Sequence, residues 1–138
     1  MGNSRQDPVT ASSFNVGKHV GEDPNATRAD ETIGYIVIES GNGTINGVAY
    51  EAALGADTVR GFGNSSNPYT YSLSGTLSTA SAAAASISGM DGGNGAWAVL
   101  SGANPITPTS LGLHALEDQM NDSEQSHTTT QVGYLVFE

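Results

Sequence analysis

The chain has no cysteine, which excludes a disulfide framework, a thiolate metal site and a cysteine nucleophile. Basic residues are scarce too: 4 Lys and Arg stand against 14 Asp and Glu, a formal net charge of -10 over 138 residues. So acidic a surface repels phosphate backbones and anionic headgroups, which argues against nucleic acid as a partner. No apolar run approaches the roughly 20 residues of a membrane-spanning helix, so no membrane insertion of that kind is expected. Residues Met1 to Asp7 lack the charged and then apolar pattern of a signal peptide, and the start reads as a mature terminus or an artificial boundary. What remains is rich in Gly, Ser, Thr, Ala and Asn. That mixture suits a turn-rich β protein outside the cell or at its surface better than a helical cytosolic enzyme.

Turn chemistry divides the chain into short apolar stretches. Residues 1–12 are polar and read as a flexible segment, and 13–138 as a single domain, long enough to bury a core. Phe14 and Val16 could open an edge strand. Thr32 to Glu39 is expected to be a strand covered on both sides, with Ile33, Tyr35 and Val37 on one face and Ile36 and Ile38 on the other. Gly41-Asn-Gly43 and Asn46-Gly47 are two turn signals, followed by Val48 to Leu54 as a returning strand or a short helical piece. Further strands are expected at Thr58 to Phe62, Tyr69 to Leu73, Ala96 to Leu100, Leu111 to Leu116 and Gln131 to Phe137. Alanine favours helix in Ser78 to Ser88, yet no apolar stripe of helical period is present, so Ala82 to Ser88 is read as a small-residue strand. Roughly seven to nine strands at even spacing predict an all-β fold, an antiparallel β-sandwich of jelly-roll or related type.

Two of these stretches match. Glu31 to Glu39 (ETIGYIVIE) aligns without a gap on Thr130 to Glu138 (TQVGYLVFE), sharing Gly34 with Gly133, Tyr35 with Tyr134, Val37 with Val136 and Glu39 with Glu138. Both copies are expected to be central core strands, and each follows a segment rich in carboxylates and amides.

The loop before the second copy is the first candidate site. Glu117, Asp118, Asn121, Asp122 and Glu124 offer hard oxygen ligands of the kind calcium takes in sets of roughly six to eight. The EF-hand spacing is absent, and the alternative is a solvated loop whose acids cap backbone amides. Asp23, Asn25, Asp30 and Glu31 form a weaker counterpart. The second candidate is a sugar surface. Sugar rings stack on flat aromatic faces while amides and carboxylates meet their hydroxyls. Trp97, the only tryptophan, follows the turn carrying Asp91 and Asn94, and Tyr69 and Tyr71 share one strand face. Against this, Trp97 and Val99 alternate with Ala96, Ala98 and Leu100, and a buried tryptophan is the commoner case in a sandwich.

Catalysis finds little support. His19, His114 and His127 show no H-x-H or HExxH spacing, and no G-x-S-x-G elbow is present. His127, between the acidic loop and the last strand, reads as a hydrogen-bonding clamp rather than a ligand. The chain is not expected to be an enzyme.

The runs Trp97 to Leu100, Leu111 to Gln119 and Asp122 to Glu138 resemble a module of secreted or surface proteins of marine bacteria, similar in plan to the H-type lectin domain. The likeness extends from about Thr32 to the end and is sharpest over the last third. The pattern has an arginine where Gln125 stands, a glutamate where Thr130 stands and a tryptophan on the strand of Leu113, His114 and Ala115, which this sequence lacks. The resemblance implies a small antiparallel sandwich, an extracellular or cell-surface setting and a glycan role. The expected function is therefore a non-catalytic, lectin-like carbohydrate-binding module of a secreted bacterial protein, assisted by calcium at Glu117, Asp118, Asp122 and Glu124. Its partner would be a polysaccharide or glycan, and it would form a homo-oligomer or belong to a larger multidomain chain. The alternative is a structural or adhesive sandwich without a small ligand.

Overall fold

The computed structural model describes residues 10, 12–16, 19–89 and 91–138. Its eight strands are β1 (Gly41–Ile45), β2 (Val48–Leu54), β3 (Tyr69–Ser72), β4 (Ala82–Ile87), β5 (Ala96–Leu100), β6 (Ile106–Thr107), β7 (Ser110–Glu117) and β8 (Val132–Phe137), with no helix among the described residues. They form two antiparallel sheets. The first runs β1-β2-β8-β4; the second runs β3-β7-β5, with β6 also paired to β7. The fold is the expected all-β sandwich.

The β1–β2 hairpin turns on Asn46 and Gly47, whose φ of 52° and 85° are what a two-residue turn of matching twist requires. β2 alternates faces: Glu51 and Ala53 lie opposite Val136 and Tyr134 of β8 on the inner face, while Ala52 and Leu54 lie opposite Leu135 and Gly133 on the outer one. On the other flank of β8, Ala83 and Ala85 also face inward. β4 is thus a strand of small residues, as its unpatterned alanines suggested.

The core lies between the sheets. Val132 and Val136 of β8 meet Leu111 and Leu113 of β7, with Tyr71, Leu73, Leu77 and Val59 closing around them. Val59, Leu111, Leu113, Val132 and Val136 are wholly buried. Each contributes about 1.5–3 kcal/mol by leaving water. One carboxylate shares this layer: buried Glu51 accepts hydrogen bonds from the Ser74 backbone N–H (2.9 Å), the Ser74 hydroxyl (2.6 Å) and the Tyr134 hydroxyl (3.3 Å). Burial first, then the neighbouring Glu51 charge, pushes the Tyr134 pKa up to about 12.

Four expectations need correction. The turn expected at Gly41-Asn-Gly43 is instead the start of β1, paired with Ala52, Glu51 and Tyr50 of β2. Thr32 to Glu39 is neither strand nor core: Ile33, Tyr35, Ile36 and Val37 are exposed, and the segment pairs with no strand among the described residues. Its sequence suits a strand, but the slot in the sheet that it matches is already filled by β8. Phe14 and Val16 form no edge strand; the Phe14 ring instead meets Tyr35 edge-on at 4.8 Å. Thr58 to Phe62 is reduced to single bridges, Val59 with Thr130 and Gly61 with Ala115, because it crosses between the sheets instead of running along one. The expected flexible segment at 1–12 lies almost wholly outside the described residues.

Candidate functional site

The outer face of the second sheet carries the most distinctive surface. Trp97 stands mid-strand on β5, opposite Leu116 of β7. Trp97 is 56% exposed and Leu116 37%. The alternation that suggested a core tryptophan is real, but the inward positions of β5 are Ala98 and Leu100, which pack on the core. Trp97 occupies the opposite face. The Asp91–Asn94 turn precedes it, with Asp91 exposed and Asn94 half-buried.

One residue-pair further along, the same face is covered. His114, opposite Val99, is fully buried beneath the loop after Val59. Its Nε2 lies 3.0 Å from the Ser65 carbonyl, which can only accept, so Nε2 carries the proton. In the neutral ring Nδ1 then accepts from the Ser101 hydroxyl at 2.9 Å. Phe62 stacks on the imidazole at 4.1 Å, and Tyr69 meets it edge-on at 5.5 Å. Phe62 stays 37% exposed and so extends the aromatic character of this face. Sequence reasoning passed over both His114 and Phe62. The available signal was that His114 alternates out of the inward row of Leu111, Leu113 and Ala115.

The two tyrosines divide. Tyr71 is buried between the sheets, donating from its hydroxyl to the Ala56 carbonyl at 2.6 Å, and burial raises its pKa. It offers no face to a ligand. Tyr69 is half-buried and leans on the core and His114. Of the three aromatics expected at a sugar surface, Trp97 alone presents an open ring.

The acidic loop is a tied structure. Asp118 Oδ2 accepts from the Glu22 N–H at 2.9 Å, and its Oδ1 from the Met120 N–H at 3.1 Å. Glu22 reaches back to the N–H groups of Asn121 and Asp122, Asp122 accepts from the Glu124 N–H at 2.8 Å, and Glu124 from that of Ser126. These carboxylates cap backbone amides, the alternative weighed for this loop. Among the described residues no three His, Asp or Glu side chains converge in an arrangement that could hold a metal ion.

Glu117 points inward. It is buried against His127, whose Nδ1 lies 3.1 Å from Glu117 Oε1, while Oε2 has no hydrogen-bond partner. Burial raises the Glu117 pKa, the His127 contact opposes this, and the nearby Glu124 carboxylate adds to the rise. The ring of His127 fits only because Gly92 has no side chain: a Cβ there would come within 2.4 Å of His127 Cε1. Asn64 Oδ1 accepts from the N–H groups of both His127 (2.9 Å) and Gly61 (3.1 Å), fastening the loop to the Val59–Asn64 segment. His127 is thus the clamp its position suggested.

The N-terminal acidic set is similarly used. Asp23 accepts from the Asn25 N–H and pairs with Arg28 at 2.7 Å, and the Asn25 N–H is the main reason its pKa is lowered. A scan against protein-family models, a search of curated proteins and a search of solved structures return no match to this chain.

Proposed function

We propose that this domain is a non-catalytic carbohydrate-binding module of an extracellular or cell-surface protein, with Trp97 as its stacking platform. The observation that carries this reading is the exposure of the only tryptophan, mid-strand and beside exposed Leu116, on the strand that follows the turn carrying Asp91 and Asn94. Leaving a large aromatic in water forgoes about 1.5–3 kcal/mol of burial, and contact with a sugar ring would recover part of it. Asp91 and Asn94, on the turn leading into the same strand, carry acceptors and a donor of the kind that sugar hydroxyls take. The resemblance to lectin-type sandwiches supports the same reading.

Because Trp97 is the only tryptophan, its fluorescence reports directly on the site. Titration with soluble polysaccharides is expected to shift its emission, and Trp97→Ala is expected to abolish retention on the same polysaccharide in an affinity gel while leaving the melting temperature within a few degrees. No emission shift and no retention on any glycan would reject the proposal. Calcium enters as one arm of the titration: if it assists at Glu117, Asp118, Asp122 and Glu124, a chelator must lower both retention and melting temperature. The structural or adhesive reading is favoured by a different observation, the strand-like segment Thr32 to Glu39, which pairs with no strand among the described residues.

A further inference from the structure

The match between Glu31–Glu39 and the last strand is part of a longer one. Reading backwards, residues 16–23 (VGKHVGED) align with 111–118 (LGLHALED), sharing Gly17 with Gly112, His19 with His114, Glu22 with Glu117 and Asp23 with Asp118. Before them, residues 7–13 (DPVTASS) align with 104–110 (NPITPTS), sharing Pro8 with Pro105, Thr10 with Thr107 and Ser13 with Ser110. The three blocks occur in the same order in both places. Together residues 7–39 repeat the stretch that forms β6, β7, the acidic loop and β8.

The structure repeats local geometry in both copies. In the β6–β7 turn, Thr107 Oγ1 lies 2.7 Å from Ser110 Oγ and accepts from the N–H groups of Thr109 (3.3 Å) and Ser110 (2.9 Å). In the first copy, Thr10 Oγ1 lies 2.7 Å from Ser13 Oγ and accepts from the N–H groups of Ser12 (3.3 Å) and Ser13 (2.9 Å). Asp118 accepts from the N–H two residues on, at Met120, and Asp23 does the same from Asn25.

The strand itself fits the β8 slot position by position. The inward residues Val132, Tyr134 and Val136 become Ile33, Tyr35 and Val37, and the outward Gly133, Leu135 and Phe137 become Gly34, Ile36 and Ile38. Two side-chain hydrogen-bonding contacts, one from β8 and one from the residue after it, are preserved in kind. Tyr134 donates to Glu51, and Glu138 Oε1 accepts from the Ser78 N–H (2.5 Å) and hydroxyl (2.7 Å). Tyr35 and Glu39 are the same residue types at the same positions.

Glu39 cannot take this slot in its own unit. The Glu138 N–H bonds to Ala49, whereas β1 begins at Gly41 opposite Ala52, on the far side of β2. Two strand spacings across and three residues along make a separation of ~14 Å, while the two steps from Glu39 to Gly41 reach ~7 Å. The slot is in any case filled. Ile33–Ile38 instead lies loosely over the outer face of the first sheet, leaving a cavity of about 920 Å³ bordered by Ala52, Ala84 and Leu135.

We propose that residues 7–39 are the closing third of a second unit of this same fold. The units are joined head to tail, so that one unit's β8 runs through Ser40 directly into the next unit's β1. The partner of the exposed Ile33–Val37 surface is the β2–β4 slot of the preceding unit. This does not rest on the carbohydrate reading, and either can fail alone.

The test extends the chain: a copy of residues 40–103 is joined directly ahead of Asp7, giving the first copy the strands it lacks. In the 138-residue protein, the amides of Ile33–Ile38 are expected to exchange with solvent at the rate of open chain. In the extended protein they should slow on the order of a hundredfold or more, alongside Val132–Phe137. Tyr35→Asp in the extended protein should remove only the upstream protection. A second variant places the first copy's strand in the existing slot, Q131T, V132I, L135I and F137I together, and is expected to keep the fold with a melting temperature within several degrees. Unchanged exchange at Ile33–Ile38 in the extended protein, or loss of fold in the four-residue variant, would overturn the proposal.

Discussion

Glu31–Glu39 and Thr130–Glu138 share Gly, Tyr, Val and Glu in register and one apolar pattern, in opposite circumstances. The second is the middle strand of a sheet, with Val132 and Val136 wholly buried; the first carries Tyr35, Ile36 and Val37 mostly in water. Pattern and propensity are shared, so neither explains the difference. β8 has β2 on one side, β4 on the other and β7 beneath its inner face. The first copy lies over the outer face of that sheet and pairs with none of these strands. A β-strand is a property of a slot as much as of a peptide, since its backbone groups and one whole face must be satisfied by other strands.

The sharpest way to break this comparison is to place a charge at the same position of each copy. Val136→Asp puts a carboxylate into a fully buried site and is expected to cost more than about 4 kcal/mol, enough to unfold a domain of ordinary stability. Val37→Asp is expected to change stability by less than about 0.5 kcal/mol, because Val37 is 64% exposed. Equal effects in thermal or urea denaturation would mean that the first copy is packed after all. A smaller loss is expected from Glu51→Ala, which removes the acceptor of the Tyr134 hydroxyl and of both Ser74 donors. Denaturation should show a cost of about 1–3 kcal/mol.

Tyr134 sharpens the comparison through pH. Tyr134 holds its proton to about pH 12 in the fold against an ordinary 10.0. Between those values the unfolded chain has released that proton and the native state has not, so stability present below pH 10 is lost as pH rises towards 12. Ultraviolet absorbance titration should show late ionisation, to which buried Tyr71 also contributes, that shrinks by one phenol in Tyr134→Phe. The smallest effect is expected at Glu117. Its pKa is raised, so its contribution to stability is full below about the ordinary 4.5 and falls as pH rises through the folded value. Glu117→Gln should melt higher than the parent at neutral pH, with the gap closing in acid, as read by melting curves across pH.

Much of the fold was legible in the sequence. Asn46-Gly47, the alternation in Tyr69 to Leu73 and the absence of a helical stripe in Ala82 to Ser88 each pointed to the strand that forms. What was not legible depends on long-range pairing. Nothing local in Glu31–Glu39 says that its slot is already taken. Nothing in the alternation of Trp97 with Ala96 and Ala98 says which side of β5 faces the first sheet. That was decided by Ala98 and Leu100 meeting Leu113 and its neighbours. The acidic loop was half legible: His127 as a clamp followed from its place before the last strand. The capping of backbone amides by Asp118, Asp122 and Glu22 required the fold to bring residues from both ends of the chain together.

The most direct measurement is amide exchange at two matched residues, Ile36 and Leu135, in the protein carrying the extra copy of residues 40–103 ahead of Asp7. Slow exchange at both, with Ile36 fast in the parent protein, is the predicted result. Slow exchange at Leu135 alone would contradict the assignment of residues 7–39 to a second unit.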